Sequence, residues 1–317
     1  MEFDLQDIIA APFRMQPGLQ RLDANAPSIT VLTPGTVLWR EKLAVLTDHA
    51  DQALLLAPDF DAQPAMRALA DALVGADPAS CRFDGPLLQL DPLGVAIDLE
   101  SSAVLQNPAA QGAHQLAAKQ ALARLSGWQA VWAAFSLMVQ DDLAVLDGRD
   151  TRLGLLAVCV PSHWSPAEKI GQPLAAVHAP VADNALLLAA TEGLVKLVTG
   201  PTRWQRFVWT LQPSSHHDGH PTRDGQRHWP KTANHLGEAL WLRAERQSFI
   251  PLPDACQAIF TIRVMVEPLG LALRSAADAQ RLHDAVASMS PAVLAYRSLA
   301  AVQPLVLEWL QTRIAMT

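Results

Sequence analysis

Two segments of this chain carry most of the side chains able to do chemistry. The first runs from Val160 to Pro180. Ser165 precedes Pro166, and Glu168 stands three positions after Ser165. That spacing predicts a helix start: the hydroxyl caps, proline is tolerated at the first position, and the carboxylate reaches back. Pro173 lacks a backbone donor and kinks or ends the element. With helical phase kept, Ile170, Leu174 and His178 recur at four-residue steps on one face, and Pro180 stops the chain from continuing. His178 is then a histidine on an apolar face beside a helix break. Two readings suit it. One is a core histidine satisfied by backbone groups. The other is a neutral imidazole projecting from a greasy wall as the axial ligand of a haem iron.

The second segment runs from Leu240 to Pro253. As a strand it sends Leu240, Leu242 and Ala244 to one face, with Arg246 beside them, and Trp241, Arg243, Glu245 and Gln247 to the other. A charged row of this kind is a solvated sheet face, with an Arg243–Glu245 pair worth under ~1 kcal/mol, or else the polar wall of a pocket. In a pocket, guanidinium groups hold carboxylates and Glu245 holds a cation or a proton. Arg263, opposite the Phe260 stripe of its own strand, is a candidate to join them. A third cluster, His216, His217, His220, His228 and His235, lies in a polar stretch without cysteine or helical pattern. It reads as a mobile surface loop, with a zinc site as the alternative.

These segments need a frame. The chain has 317 residues, 50% hydrophobic and 17% charged, with net charge −7. That composition excludes a disordered chain and allows one large domain or two smaller ones. An acidic balance argues against a phosphate-backbone binder. No apolar run reaches the ~18 residues of a membrane span, and the acidic start, Met1 to Asp4, is unlike a secretion signal. Cys81, Cys159 and Cys256 are too few and too scattered for a disulfide framework or a four-thiolate site. The chain reads as globular, soluble and cytoplasmic.

Along the chain, Ile29–Leu32 and Val37–Trp39 read as short strands around Pro34-Gly35, and Arg40–Leu56 and Gln63–Val74 as helices. Residues 76–112 read as loop. Ala113–Leu146 reads as a long helix broken near Ser126-Gly127. Leu153–Val160 is a buried strand, and Arg203–Leu211, Leu240–Gln247 and Ala258–Val266 alternate as strands. Ala276–Ile314 reads as two helices parted at Ser290-Pro291. Three consecutive strands without a crossover helix predict an α+β fold with an antiparallel sheet. A mostly helical segment (1–150) is expected to pack on a core (151–317) in one compact unit. The chain has no Gly-rich dinucleotide fingerprint, phosphate-binding loop, nucleophile elbow or zinc helix.

The two segments, in this order, resemble the alpha-subunit-like family of haem-dependent oxidative N-demethylases. The resemblance rests on Pro161-Ser162-His163-Trp164, Glu168-Lys169-Ile170-Gly171 and Val177-His178-Ala179-Pro180-Val181. It continues through Leu242-Arg243-Ala244-Glu245-Arg246-Gln247, Leu252-Pro253 and Phe260-Thr261-Ile262-Arg263. Val139-Gln140-Asp141-Asp142-Leu143 upstream, Phe13-Arg14-Met15 and Gly18-Leu19 near the start, and Ser290-Pro291 and Tyr296-Arg297 downstream also match. Val208 stands where the family shows Asn, and Ala182 where it shows Pro.

The resemblance implies a core of the Per-Arnt-Sim (PAS) type that binds haem b, with His178 as the iron ligand. It implies NADPH-dependent oxidation of a small secondary amine, dimethylamine, by O₂ with release of formaldehyde. Electrons arrive from a separate flavin and iron–sulfur reductase, so that NADPH, FMN and a 2Fe-2S cluster lie on partner subunits. Lys169, Arg243, Arg246 and Arg263 are the candidates for the haem propionates, Trp164 is a further candidate for binding the haem, and Trp241 or Trp209 is the candidate aromatic wall beside the amine. Glu245 is the candidate acceptor for the amine, with Asp142 as another. A homo-oligomer is compatible with this, and neither nucleic acid nor membrane is expected as a partner. A haem-based gas sensor or carrier on the same scaffold, or an interaction protein without cofactor, are the alternatives.

Overall fold

A computed structural model describes residues 4–23, 25–223, 225 and 228–315; Met1–Phe3 of the acidic start, and Asp224, Gln226 and Arg227 of the histidine-bearing stretch, lie outside the described residues. The chain opens with one helical turn, α1 (Leu5–Ile8), and a two-residue strand, β1 (Gln20–Arg21). Val37–Trp39 is not a strand. The Thr36 hydroxyl accepts from the Trp39 amide at 3.3 Å and so starts α2 (Val37–Asp48). The helix expected to reach Leu56 ends early, in a short turn, α3 (Ala50–Ala53), and a strand, β2 (Leu54–Leu56). Helix α4 (Gln63–Ala76) follows as predicted, burying Met66, Leu69 and Leu73.

The stretch expected as loop is a small antiparallel sheet: β3 (Cys81–Asp84), β4 (Leu87–Leu90), β5 (Val95–Asp98) and β6 (Ala103–Gln106). Strands this short, cut by Gly85 and Gly94 turns at positive φ, leave too little alternation to read. Helices α5 (Ala113–Leu122) and α6 (Gly127–Met138) follow, and the expected long helix stops at Met138, because Asp141–Asp147 is strand β7. Both α6 and β7 are buried nearly throughout, so neither shows a period and the junction is invisible in the sequence.

Strand β8 (Arg152–Ala157) comes next, then the short helix α7 (Leu174–His178), α8 (Ala185–Thr199) and β9 (Trp204–Gln212). After α9 (Leu236–Ala239), a hairpin of β10 (Trp241–Leu252) and β11 (Gln257–Pro268) turns at Pro253–Ala255. The tail is three helices and not two after a short α10 (Leu269–Ala272): α11 (Ala276–Ala287), α12 (Pro291–Tyr296) and α13 (Gln303–Ala315). Among the described residues no helix is long and apolar enough to cross a membrane.

The architecture is mixed α+β with a seven-stranded antiparallel sheet, in the order β1-β9-β10-β11-β7-β8-β2, and the separate four-stranded sheet. Strands β7 and β8 pair with each other, so position 150 falls inside the large sheet, and the first 150 residues supply strands as well as helices. Leu242 and Ala244 turn one way and pack with Leu282, Val286 and Val306 of the C-terminal helices. Ala144, Leu146, Leu156 and Ala258 turn the other way and pack under Val195 and Val198 of α8.

One charged cluster is sealed where α2 meets β7. The Lys42 ammonium lies 3.3 Å from the Asp142 carboxylate, with side chains 0% and 1% exposed. It also donates to the carbonyls of Val139 at 3.1 Å and Asp141 at 2.7 Å. The neighbouring Asp141 accepts from the Thr30 amide at 2.8 Å, and burial pushes its carboxyl up to about 6. Removing one partner of a sealed pair strands the other charge. Lys42→Met is therefore expected to cost about 3–5 kcal/mol in chemical denaturation; a loss under about 1 kcal/mol would show that the pair does not secure α2 to the sheet.

Candidate functional site

The wall of the site grows out of Asp142. Its carboxylate accepts from the backbone amides of Cys159 at 3.0 Å and Val160 at 2.8 Å, which turns the chain away from the sheet after β8. Gly219 makes the next two bonds: its amide donates to the Pro161 carbonyl, and its carbonyl accepts from the His163 amide. A Cβ on Gly219 would stand 2.8 Å from both the Pro161 oxygen and the His163 ring, so only glycine admits this approach. The helix expected from Ser165 is a single tight turn, Pro166–Glu168, with no side-chain cap. Gly171, at φ +70, reverses the chain, and Pro173 begins α7 where a kink was expected. The Asn184 side chain donates to the carbonyls of His178 at 3.2 Å and Ala179 at 2.8 Å, closing the end of α7.

Between this wall, α8 and the large sheet lies a cavity of about 330 Å³, within the ~300–1,000 Å³ of ligand pockets. Its apolar lining includes Leu146, Leu156, Leu174, Val177, Val198 and the stacked pair Phe249–Phe260, whose centroids are 4.8 Å apart. The polar lining follows from strand register. Thr210, Val208 and Arg206 of β9 stand opposite Arg243, Glu245 and Gln247 of β10 and face the cavity with them.

These side chains form one bonded row. The Arg206 Nε donates to the Gln247 Oε1 at 2.5 Å, and the Gln247 Nε2 donates to the Glu245 Oε2 at 2.6 Å. The Ser162 hydroxyl donates to the Glu245 Oε1 and accepts from the Arg243 Nε at 2.7 Å. Arg243 and Glu245 are thus joined through a hydroxyl. The rest of the Arg243 guanidinium donates to the carbonyls of Val160 at 2.9 Å and His217 at 2.8 Å, leaving it 1% exposed.

His178 sits on the cavity wall, and its Nδ1 is buried without a hydrogen-bond partner. Burial, then the charges of Arg206 and Lys169, push its pKa down to about 4. The ring is neutral at pH 7. The Lys169 ammonium, itself pushed down by burial, donates to the Val177 carbonyl at 3.2 Å and stands 5.4 Å from the Trp164 ring centre. At another part of the lining, Tyr296 and Arg297 belong to the C-terminal helices.

Of the residues singled out in the sequence, the cavity gathers Trp164, Lys169, His178, Arg243 and Glu245. Arg246 and Arg263 are register partners on the opposite face of the sheet. There Arg246 donates to the Gln205 side chain and the Pro27 carbonyl, and Arg263 to the Gln140 side chain. Asp142 lies beneath the wall, outside the cavity lining. Arg206, Tyr296 and Arg297 were missed. Arg206 lies on the polar side of the alternation whose apolar side, Phe207, Trp209 and Leu211, was read; Tyr296-Arg297 was noted only as a motif.

Part of the histidine stretch is held in place: Arg223 grips Asp218 at 2.6 Å, Arg243 holds the His217 carbonyl, and His220 is buried, whereas His216, His228 and His235 are exposed. Among the described residues no three His, Cys, Asp or Glu side chains converge on a metal position.

A neutral imidazole nitrogen without a hydrogen-bond partner is able to bind a metal. The stacked rings and aliphatic walls suit a large flat apolar ring, and Lys169 and Arg206, both near enough to lower the His178 pKa, suit carboxylates on its edge. The donor set fits haem. In a proton NMR titration of the ligand-free protein, the His178 ring is expected to titrate near pH 4; a midpoint near the ordinary ~6.5 would show it solvated, off the cavity wall.

Comparison with known proteins comes down on the same segment. Among curated proteins none matches this chain. The family described as haem-dependent oxidative N-demethylase, alpha subunit-like, matches residues 100–307, a span that holds His178, Glu245, the large sheet from β7 onward and both tail motifs. The chain belongs to that haem-dependent family.

Proposed function

We propose that the chain is the haem-binding subunit of an NADPH-dependent monooxygenase that removes a methyl group from a small secondary amine such as dimethylamine. The observation that carries this reading is the coincidence of the family match with a cavity whose wall holds a neutral, unpartnered histidine. In the balanced reaction, the amine, O₂, NADPH and a proton give the demethylated amine, formaldehyde, water and NADP⁺. Bound haem supplies the site of O₂ reduction and amine oxidation.

The protein's own side chains do the rest. His178 would hold the haem iron. Lys169 and Arg206 would hold the propionates. Arg243 acts one step back: caged by carbonyls, it fixes the Ser162 hydroxyl that fixes Glu245. Each Glu245 oxygen already accepts one hydrogen bond, from Ser162 or Gln247, and keeps lone-pair capacity for the N–H of the amine. Trp164, Phe249 and Phe260 keep water away from the reacting atoms. The antiparallel sheet with helices across its cavity face is the layout expected of a PAS-like core, in one unit with residues 1–150. FMN and 2Fe-2S belong to a separate reductase that docks on this subunit in the cytoplasm, and the subunit itself is free to form a homo-oligomer.

Purified protein supplied with haem is expected to show a Soret band that His178→Ala abolishes. With its reductase and NADPH, it should release formaldehyde from dimethylamine. Glu245→Gln is expected to keep the haem and lower kcat/KM by about 10–100-fold, the loss of one charged hydrogen bond. A colourless wild type, or a His178→Ala variant with unchanged haem, contradicts the reading. A haem protein that releases no formaldehyde would be a carrier or a gas sensor.

A further inference from the structure

We infer that the ligand selected by this cavity is a zwitterion, a secondary amine that also carries a carboxylate, of the N-methyl amino acid type. The inference rests on the amine reading above and adds a second charged group to it.

The cavity walls are unequal in charge. Glu245 is the acid in the lining, whereas Lys169, Arg206, Arg243 and Arg297 are all cations of it. Arg243 is enclosed by the Val160 and His217 carbonyls and the Ser162 hydroxyl. Lys169 and Arg206 line the cavity with His178 and are the cations assigned above to the two propionates. Arg297 is left over.

Arg297 is held rather than free to swing away. Its guanidinium carbon stands 4.6 Å from the Phe13 ring centre and 5.6 Å from that of Trp209. It donates to the Trp209 carbonyl and touches the Met15 sulfur at 3.9 Å, yet its Nε is buried with no hydrogen-bond partner. Arg297 and Glu245 feel each other's charge. Even so, Glu245 is bonded by Ser162 and Gln247, and Arg297 by Trp209 and Met15, not by each other.

Unlike charges on one cavity, held apart by their own partners, form a fixed dipole that a ligand of opposite dipole completes. A plain dialkylamine answers Glu245 and leaves Arg297 without an anion. An N-methyl amino acid answers both. Its ammonium meets Glu245 and its carboxylate meets the guanidinium in a charge-assisted hydrogen bond. Tyr296, 49% exposed, flanks Arg297 on the same lining and marks this end as the one open to solvent. The chemistry stays that of the proposed reaction, with O₂ and NADPH, and yields the parent amino acid and formaldehyde.

The test titrates the haem-loaded full chain with N-methylglycine, its methyl ester and dimethylamine, following the Soret band. The same titrations without haem follow tryptophan fluorescence, since Trp164 and Trp209 line the cavity. N-methylglycine is expected to bind at least about tenfold tighter than its ester or dimethylamine. Arg297→Gln should bring it down to the ester, and Arg297→Lys should restore part of the difference. Equal affinity for acid and ester in the wild type overturns the proposal, even where the variants do not fold. Loss of haem affinity in Arg297→Gln with the acid preference intact also overturns it, assigning Arg297 to the propionates. Haem uptake with dimethylamine preferred defeats the zwitterion and spares the demethylase reading. Preference for the acid without any haem uptake supports the zwitterion and defeats the haem reading.

Discussion

Asp142 is where the cavity wall is tied to the fold. Its carboxylate is 1% exposed and meets three donors: the Lys42 ammonium from α2 and the amides of Cys159 and Val160. Burial raises its pKa, and these donors pull the other way. Charges this deep are costly unless every partner is in place, so the cluster accepts one arrangement of helix, strand and turn. That arrangement sets the direction in which the chain leaves β8. It also presents the Val160 carbonyl to Arg243, from which Ser162, Glu245, Gln247 and Arg206 follow in one bonded row.

The division of labour between sheet and helices suits the proposed chemistry. The central strands are rigid and register-locked, so the side chains that must keep their spacing, Glu245 and the guanidinium groups, stand on β9 and β10. The short α7 carries the proposed iron ligand, held by Asn184 at its end and by the Lys169 bond to Val177 at its side. Apolar side chains from α8 close the cavity above. Histidine in such a place stays neutral because charging it would meet both burial and two nearby cations. The polarity of the site thus comes from the same burial that gives the core its stability.

Much of this was legible in the sequence where apolar side chains alternated with polar ones over a long stripe. The alternation of Ala258, Phe260, Ile262 and Val264 gave β11, and Leu242 and Ala244 against Arg243 and Glu245 gave both faces of β10. The faces also placed Arg246 apart from Arg243, as found. Legibility failed where burial was uniform. The passage from α6 into β7 shows no period because nearly every residue from Ala130 to Leu146 is inside. It failed again where elements were short, as in the small sheet from β3 to β6. Arg263 was grouped with the pocket because sequence spacing gives the face of a strand but not what covers that face. Arg297 reaches the cavity across a long sequence separation, a closeness no local pattern encodes.

The central claim is that His178 bonds a haem iron inside this cavity. A crystal structure of the chain grown with haem tests it most directly. The account predicts iron bonded to a ring nitrogen of His178, with the macrocycle inside the cavity. Iron held by any other residue, or a macrocycle outside the cavity, would contradict it.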